Sequence, residues 1–563
     1  MGTTKSGGLV TRHQVVRLSV SLRVPSETSS APPDGQPSSP PAAPPDLTSD
    51  YRRGELADFF ELAPGDLGAA LELPRAGDRA GLVAALERHA RRLGAPAAAL
   101  DNIARLAHPE ARAVVTGQQT GLLLGPTYTL SKAMTAVRIA ADLDSEERPV
   151  VPVFWLASQD HDGAEIDHGY LLDGSETLRR VEVKLPADVA SGRCRFDSEM
   201  LAAVKRSLAG HTPRPPFEAE VMALLSEAAG VSSTFADWFA AQLYRLLGDT
   251  GLVLLDPLEP GIAELFAPVL ERELQDPRTS PRLINEAGDR LRERGYSPQL
   301  GRGHEATNLF VELEDEPAGL MRRTLLRVDG RGFSAGGRSF SRDELLARLV
   351  ADPASITPAA GLRPITQDHV LPTAVFVLGP GELAYVAQLR GVYRHHGVAM
   401  PLAWPRASVT VLEPVAARLL ERFGVNAAEF RADAAGVLER TLLARHGHAS
   451  AFGRAATDLE SQFASLLSEV DAIDPTLAGT VRRGRRYLDT TLERLRAKTA
   501  AALARKDADS RRQFERLGAH LLPLGQPAER VLSAYSHMLK FGIAPVLDRF
   551  KAIEPTGHQE LRL

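Results

Sequence analysis

Ala113–Met134, AVVTGQQTGLLLGPTYTLSKAM, is the stretch that decides the fold of this 563-residue chain. It opens with Ala113-Val114-Val115, a short apolar run without polar alternation, as expected of a strand buried on both faces. Gly117, Gly121 and Gly125 then let the backbone turn tightly. Pro126 suits the first turn of a helix that continues through Leu130, Met134 and Val137 to about Leu143. Val150 to Ala157 and Thr373 to Leu378 are runs of the same kind, and Gly251 to Asp256 reads as another buried strand. A parallel sheet fits these runs best, so the fold class is α/β.

Three of the runs end in polar loops, Thr116 to Tyr128, Ala157 to His168 and Leu378 to Leu389. In open parallel sheets ligands bind at the carboxyl ends of strands, where helix N-termini and unpaired backbone N–H groups converge. The three loops are therefore expected to wall one active site. Lys132 lies in the opening turns of the first helix, where it and the glycine-rich turn can hold a carboxylate or phosphate. The spacing is neither a Walker A loop nor G-x-G-x-x-G, and a plain strand-to-helix turn with a solvated lysine is the alternative.

The second loop packs Asp160, His161, Asp162, Glu165, Asp167 and His168 into nine positions. If Asp162 to His168 is helical, His161, Glu165 and His168 share a face. Three readings stay open on spacing alone. The face can bind a metal; its carboxylates can receive a substrate ammonium with His161 as general base; or Asp160 or Asp162 caps a helix and the rest is solvated. In the third loop, Arg363, Gln367 and Asp368 precede the strand. Gly379, Pro380, Gly381 and Glu382 follow it into a helix that carries Tyr385 and Gln388. Its start suits an anion, and Glu382 in the first turn is favoured by the helix dipole even without a ligand. After another short strand, Arg406 reads either as a phosphate or carboxylate contact or as an exposed loop arginine.

Composition narrows the class. Lys and Arg number 66 against 71 Asp and Glu, a net of −5, so no global field draws in nucleic acid. With 44% apolar and 24% charged residues, a chain of this length is expected to form two or three globular domains. No apolar run approaches the roughly 20 residues of a membrane span. Met1 to Asp50 lacks a signal-peptide core, so the protein is expected in the cytoplasm, away from membranes. The lone Cys194 excludes an intramolecular disulfide; Arg193 and Arg195 would lower its pKa, against the commoner case of a chance half-buried thiol. Residues 25 to 47 are dominated by Pro, Ser, Ala and Gly, so residues 1–50 read as a disordered leader that extends the globular sequence.

Residues 168–230 and 277–358 change to polar, glycine-interrupted pieces such as LRRVEVKL and LLRVDGRGF, read as insertions with small antiparallel sheets. From Glu413 long helices take over. Leu459, Phe463, Leu466, Val470 and Ile473 recur at spacings of three and four. Leu488, Leu492, Leu495, Thr499 and Ala502 do the same beyond Asp474-Pro475. This is an antiparallel hairpin whose long apolar seam is expected to be completed by a second copy in a homodimer. The cluster Arg482, Arg483, Arg485 and Arg486 reads as a solvated face rather than a nucleotide or RNA site.

VVTGQQTGLLLGPTYTLSKA, PVFWLASQDHDGAEIDH, TNLFVE, LRPITQDHVLPTAVFVLGPGELAYVAQL and PLAWPRASVT resemble, in this order, the BshC family, named for the cysteine ligase of bacillithiol biosynthesis. The resemblance runs from about Tyr51 to the C-terminus. It implies a Rossmann-like core similar to class I aminoacyl-tRNA synthetases over 51–411, with connecting-peptide insertions, a helical coiled coil over 412–517 and a helical segment over 518–563 packing on the core. The implied reaction is the last step of the pathway, joining the cysteine carboxyl to the amino group of glucosaminyl-malate, with ATP or another nucleotide as the activator its chemistry suggests. The implied site places Asp160, His161, Asp162 and Glu382 in the chemistry, with no metal. Gln118, Gln119, Tyr128, Lys132, Asn308, Arg363, Gln367, Asp368, Gly381, Tyr385, Gln388, Arg406 and Ser408 surround the substrates. By position alone Asn308 is a turn residue before a strand. Gln159 and Gly163 depart from the family's acidic and aromatic residues there. Alternatives of another class are a nucleotide-responsive scaffold and a metal-dependent hydrolase built on the Asp-His-Asp loop.

Overall fold

Five strands form one parallel sheet in a computed structural model that describes residues 15–16, 45–74, 77–210, 213–315 and 318–563. They are β1 (Arg112–Gln118), β2 (Val150–Leu156), β3 (Val253–Leu255), β4 (Thr373–Leu378) and β5 (Leu402–Pro405). Their spatial order is β3-β2-β1-β4-β5, with every neighbouring pair parallel. The chain builds outward from β1 to β3, then returns to the other side of β1 as β4. Order thus reverses between β1 and β4, the place where an open α/β sheet leaves a crevice.

All residues of β2 and β4 are buried, which is why their apolar runs show no alternation. β1 extends past its apolar run to Gln118, because Thr116, Gly117 and Gln118 continue in register with Phe154, Trp155 and Leu156. Thr116 tolerates burial by donating its hydroxyl to the Val377 carbonyl at 3.1 Å. Gly117 is required by close approach: a Cβ there would lie 2.8 Å from the Trp155 carbonyl oxygen. The helix after the turn, α1 (Tyr128–Leu143), buries Leu130, Ala133, Met134, Ala136, Ile139 and Ala140.

The first insertion meets the expected antiparallel pairing only over its opening strands. It holds one hairpin, His168–Leu172 with Leu178–Glu182, and then turns helical over Ser198–Ala209 and Glu218–Ala229. Asp197 caps the first of these helices, which buries Met200, Ala203, Val204, Ser207 and Leu208, a 3.6-residue period that outweighs the segment's polarity. The second insertion does form an antiparallel sheet, of five strands, in which Ala306–Asp315 lies between Leu320–Asp329 and Ile356–Pro358.

The helical hairpin consists of Ala449–Ile473 and Ala478–Lys506 joined through Pro475–Leu477. No side chain of its first helix is buried, and Leu466, Leu488 and Leu495 are 44%, 37% and 54% exposed. The helix Ala508–Leu521 runs through the boundary expected at 517. The tail is not wholly helical either. His558–Arg562 pairs in parallel with Ser408–Leu412, whose backbone groups need partners. At the other end, most of the expected leader lies outside the described residues. Within them, Val15–Val16 pairs antiparallel with Leu178–Arg179, and helix Leu47–Arg52 crosses the boundary at 50, with Asp46 capping it and Tyr51 buried. The Tyr51 hydroxyl donates to the Ala403 carbonyl at 2.6 Å, so the ordered domain starts before residue 50. Among the described residues no helix is long and apolar enough to cross a membrane.

Candidate active site

At the carboxyl ends of β1, β2 and β4 a cleft of about 700 Å³ opens, walled by all three polar loops. The second insertion's sheet roofs it with Phe310, Arg323, Leu325 and Pro358, and the C-terminal tail adds Arg530. Lys132, His161 and Glu382, far apart in sequence, all face it, together with Gln118, Gln119, Tyr128, Asp160, Arg363, Gly381, Tyr385 and Arg406.

The lining carries Lys132, Arg302, Arg323, Arg363, Arg406 and Arg530 against Asp160, Glu165 and Glu382. Two of these cations are neutralised internally. Lys132 lies 2.5 Å from Glu382 and also donates to the Gly117 carbonyl and Gln118 Oε1, at 2.9 Å each. Arg406 forms a two-pronged pair with Glu529, both bonds 2.9 Å, and Ser408 donates to the same carboxylate. Arg302, Arg323, Arg363 and Arg530 pair with no carboxylate among the described residues. Arg363 is held by neutral groups, Gln367 Oε1 and the Tyr385 hydroxyl, each at 3.0 Å. Arg302 donates to Asn308 Oδ1 and keeps a buried Nη2 without a hydrogen-bond partner. Arg323 is buried, Arg302 and Arg363 are half-buried and Arg530 is exposed; for the first three, positive charge taken out of water without a paired carboxylate is costly, and an anionic ligand would relieve it. A dicarboxylate and a nucleotide phosphate both fit that description.

Several expected roles change. The metal-binding face of the second loop does not form, because the helix covers only Gly163–Ile166 and His168 begins a strand, its Nδ1 2.8 Å from Asp167 Oδ1. Among the described residues the one group of close potential ligands is His89, Asp237 and Asp256, elsewhere in the core. Asp162 is exposed and accepts from the Ala164 N–H as the cap. Asp160 faces the cleft while its Oδ1 accepts from the backbone of His161 and Asp162. The helix start at Gly379 is already occupied by an anion: Glu382 accepts its N–H at 2.8 Å. Lys132, expected to hold a carboxylate or phosphate, and Glu382, expected in the chemistry, bind each other, and Arg406, read as a phosphate or carboxylate contact or a loop arginine, holds Glu529.

A general base is one of the readings that the sequence leaves open for His161, yet its Nδ1 sits 3.1 Å from an Arg323 Nη. Burial, then the positive charge of Arg323, lowers its pKa. Glu165 shifts the other way, raised by burial and by Asp160 and Asp162, and accepts from Gln119 Nε2 at 2.7 Å. Lys132 is wholly buried, which lowers its pKa against the pull of Glu382.

Asn308, Gln367, Asp368 and Gln388 lie behind the wall. Asn308 is a strand residue, fully buried, bonded to Arg302 and Glu273. Gln367 buttresses Arg363 one helical turn away, and Asp368, its pKa raised to about 6 by burial, accepts from Gln367 and the Tyr393 hydroxyl. Gln388 Oε1 accepts from the Gln299 and Leu300 N–H groups at 2.9 and 2.8 Å, and so fixes the loop carrying Arg302. Cys194 is buried, and burial pushes its thiol up to about 11, contrary to the lowering expected from its arginine neighbours. Sequence reasoning missed Arg302, Arg323, Phe310 and Arg530. Of these, Phe310 lay in a stretch with a sequence signal, TNLFVE, and Arg530 in the family-like tail LLPLGQPAERVLSAYSHMLKFG; Arg302 and Arg323 had none.

Residues 45–407 match the family described as "Bacillithiol biosynthesis BshC, N-terminal Rossmann-like domain", and residues 409–560 match its C-terminal coiled-coil domain. A protein of Thermus thermophilus named "Putative cysteine ligase BshC" is 38% identical over 468 residues, 82% of this chain and 90% of the relative. Relatives of the same name from Heliobacterium modesticaldum and Salinibacter ruber are 36% identical over 490 residues and 33% over 531, covering 82% and 90% of this chain and 86% and 93% of their own lengths. The switch-point cleft, the Rossmann-like sheet and the helical hairpin thus stand in a chain that belongs to the BshC family of bacillithiol biosynthesis.

Proposed function

We propose that this chain is a ligase that joins the carboxyl group of cysteine to the amino group of glucosaminyl-malate. The observation that carries the reading is the charge of the cleft: Arg302, Arg323, Arg363 and Arg530 lack carboxylate partners among the described residues, while Asp160 and Glu165 line the same space. An amino-sugar carrying a dicarboxylate presents both complements. Arg302, Arg363 and Arg530 would hold its carboxylates, and the loop acids would receive its ammonium. Glu165, with its raised pKa, is the better placed of the two to take the proton that the ammonium must lose before it attacks. Lys132 and Glu382 shape the floor through their own ion pair. A carboxylate is a poor acylating agent, so the reaction calls for ATP or another nucleotide to activate the cysteine carboxyl.

The test is product formation by purified protein given cysteine, glucosaminyl-malate and each nucleoside triphosphate in turn, followed by mass spectrometry. Appearance of the amide, and its loss in Arg363→Met, is the expected result. Failure to form product with every nucleotide, while nucleotide still binds, would favour a nucleotide-responsive scaffold.

A further inference from the structure

Arg323 is among the most buried charged groups in the cleft, at 8% exposure, and each of its three nitrogens has a partner. Nε donates to Thr357 Oγ1 at 2.8 Å, Nη2 to the Pro358 carbonyl at 2.7 Å, and Nη1 points at His161 Nδ1. Its guanidinium lies 3.9 Å over the Phe310 ring, and that ring meets the His161 imidazole edge-on at 5.3 Å. The arginine is therefore fixed by backbone, hydroxyl and aromatic partners, none of which carries charge. A guanidinium offers only donors, so Nδ1 must present its lone pair, and the imidazole proton then resides on Nε2.

We infer that Arg323 is a positioning residue that holds His161 as the neutral Nε2–H tautomer, so that His161 serves the cleft as a hydrogen-bond donor and not as a base. The groups facing the imidazole are Arg323 and the carboxylates of Asp160, Asp162 and Asp188. The acids favour the charged ring, but the nearest, Asp160, is 3.9 Å from Nδ1, whereas Arg323 is in contact. Burial of the ring sides with Arg323. Burial also draws the Arg323 pKa down, to about 10, which leaves it charged at neutral pH. A neutral Nε2–H suits the negative charge that gathers on the acyl oxygen as the amine attacks, as a fixed donor does in oxyanion stabilisation. That last step rests on the ligase reading; the tautomer does not.

The experiment is nitrogen-15 NMR of histidine-labelled protein, with the His161 signals assigned by their disappearance in His161→Gln. Wild type should show Nδ1 as acceptor and Nε2 as protonated donor, and the ring should stay neutral to lower pH than the exposed histidines. In Arg323→Met the tautomers should mix and the ring should protonate at higher pH, with turnover falling by about 10². Arg323→Lys, which restores a donor, should recover part of both. A wild-type signal with the proton on Nδ1 overturns the inference without any variant. So does an unchanged tautomer in Arg323→Met, or full turnover in that variant once its ring has changed state. A correct tautomer in a protein that makes no amide would instead count against the ligase reading alone.

Discussion

Removing the charge of Glu529 should detach the C-terminal tail from the core. Its carboxylate receives two bonds from Arg406, one from Ser408 and one from the Val409 N–H, all between 2.8 and 2.9 Å. Both partners are nearly dry, with side chains 5% and 8% exposed. In Glu529→Gln the Arg406 charge stays buried without a counter-charge, which costs about 3–5 kcal/mol. At 1.4 kcal/mol per decade this is a factor of roughly 10² to 10⁴ in the population of the undocked tail. Hydrogen exchange reads it directly, because Thr127 donates its N–H to the Leu532 carbonyl at 2.7 Å and Ser533 donates to Tyr170 at 2.9 Å, bonds that exist only when the tail is docked. The control is Glu286→Ala in the exposed pair with Arg282, where about 0.3–0.5 kcal/mol is expected. Replacing both residues, Arg406→Leu with Glu529→Leu, should restore most of the protection. Burial raises the Glu529 pKa, but the bonds from Arg406, Val409 and Ser408 overcome this and hold it below the ordinary value. Its stabilisation is then complete above the usual carboxylate range and is lost as pH falls through the lowered folded value, a loss that Glu529→Gln should lack. Protection in Glu529→Gln within a factor of two of the Glu286→Ala control would refute this reasoning.

Light scattering should show a homodimer that becomes monomeric on Leu466→Glu with Leu492→Glu, because the hairpin's first helix has no buried side chain of its own; an unchanged dimer would place the interface elsewhere. His161→Ala should lower turnover by about 10², in keeping with loss of a fixed donor, with no metal lost by elemental analysis. Deleting residues through Arg52 should lower the melting temperature, since Tyr51→Ala alone removes a buried aromatic and its bond to Ala403, a change worth about 3–5 kcal/mol. A truncation through Arg52 that melts with wild type would show that the first helix adds nothing to the core.

What could be read without coordinates was the periodic and the local. The unalternating runs at Val150 and Thr373 announced strands buried on both faces, and the glycine turn before α1 announced a strand-to-helix unit. The helical spacing from Leu459 to Ala502 announced the hairpin. These signals lie within a few residues of each other, so sequence carries them whole. Less was legible where polarity and periodicity conflicted: the helices after Asp197 buried one face of a stretch that reads as polar.

Charge pairing was decided by the tertiary structure. Lys132 and Glu382 are 250 positions apart and Arg406 and Glu529 are 123 apart. No spacing rule reveals that these groups satisfy one another rather than a ligand. Asn308, Gln367 and Gln388 look like binding residues by type, but which side of a wall an amide faces depends on the packing of elements from other parts of the chain. The same holds for Arg323, an arginine in an insertion strand that becomes the neighbour of His161 only when the inserted sheet folds over the strand ends. Sequence specified the strands and the loops that end them, because backbone propensity and burial pattern are local. The identity of each loop's electrostatic partner is a property of three-dimensional proximity, and only the fold decided it.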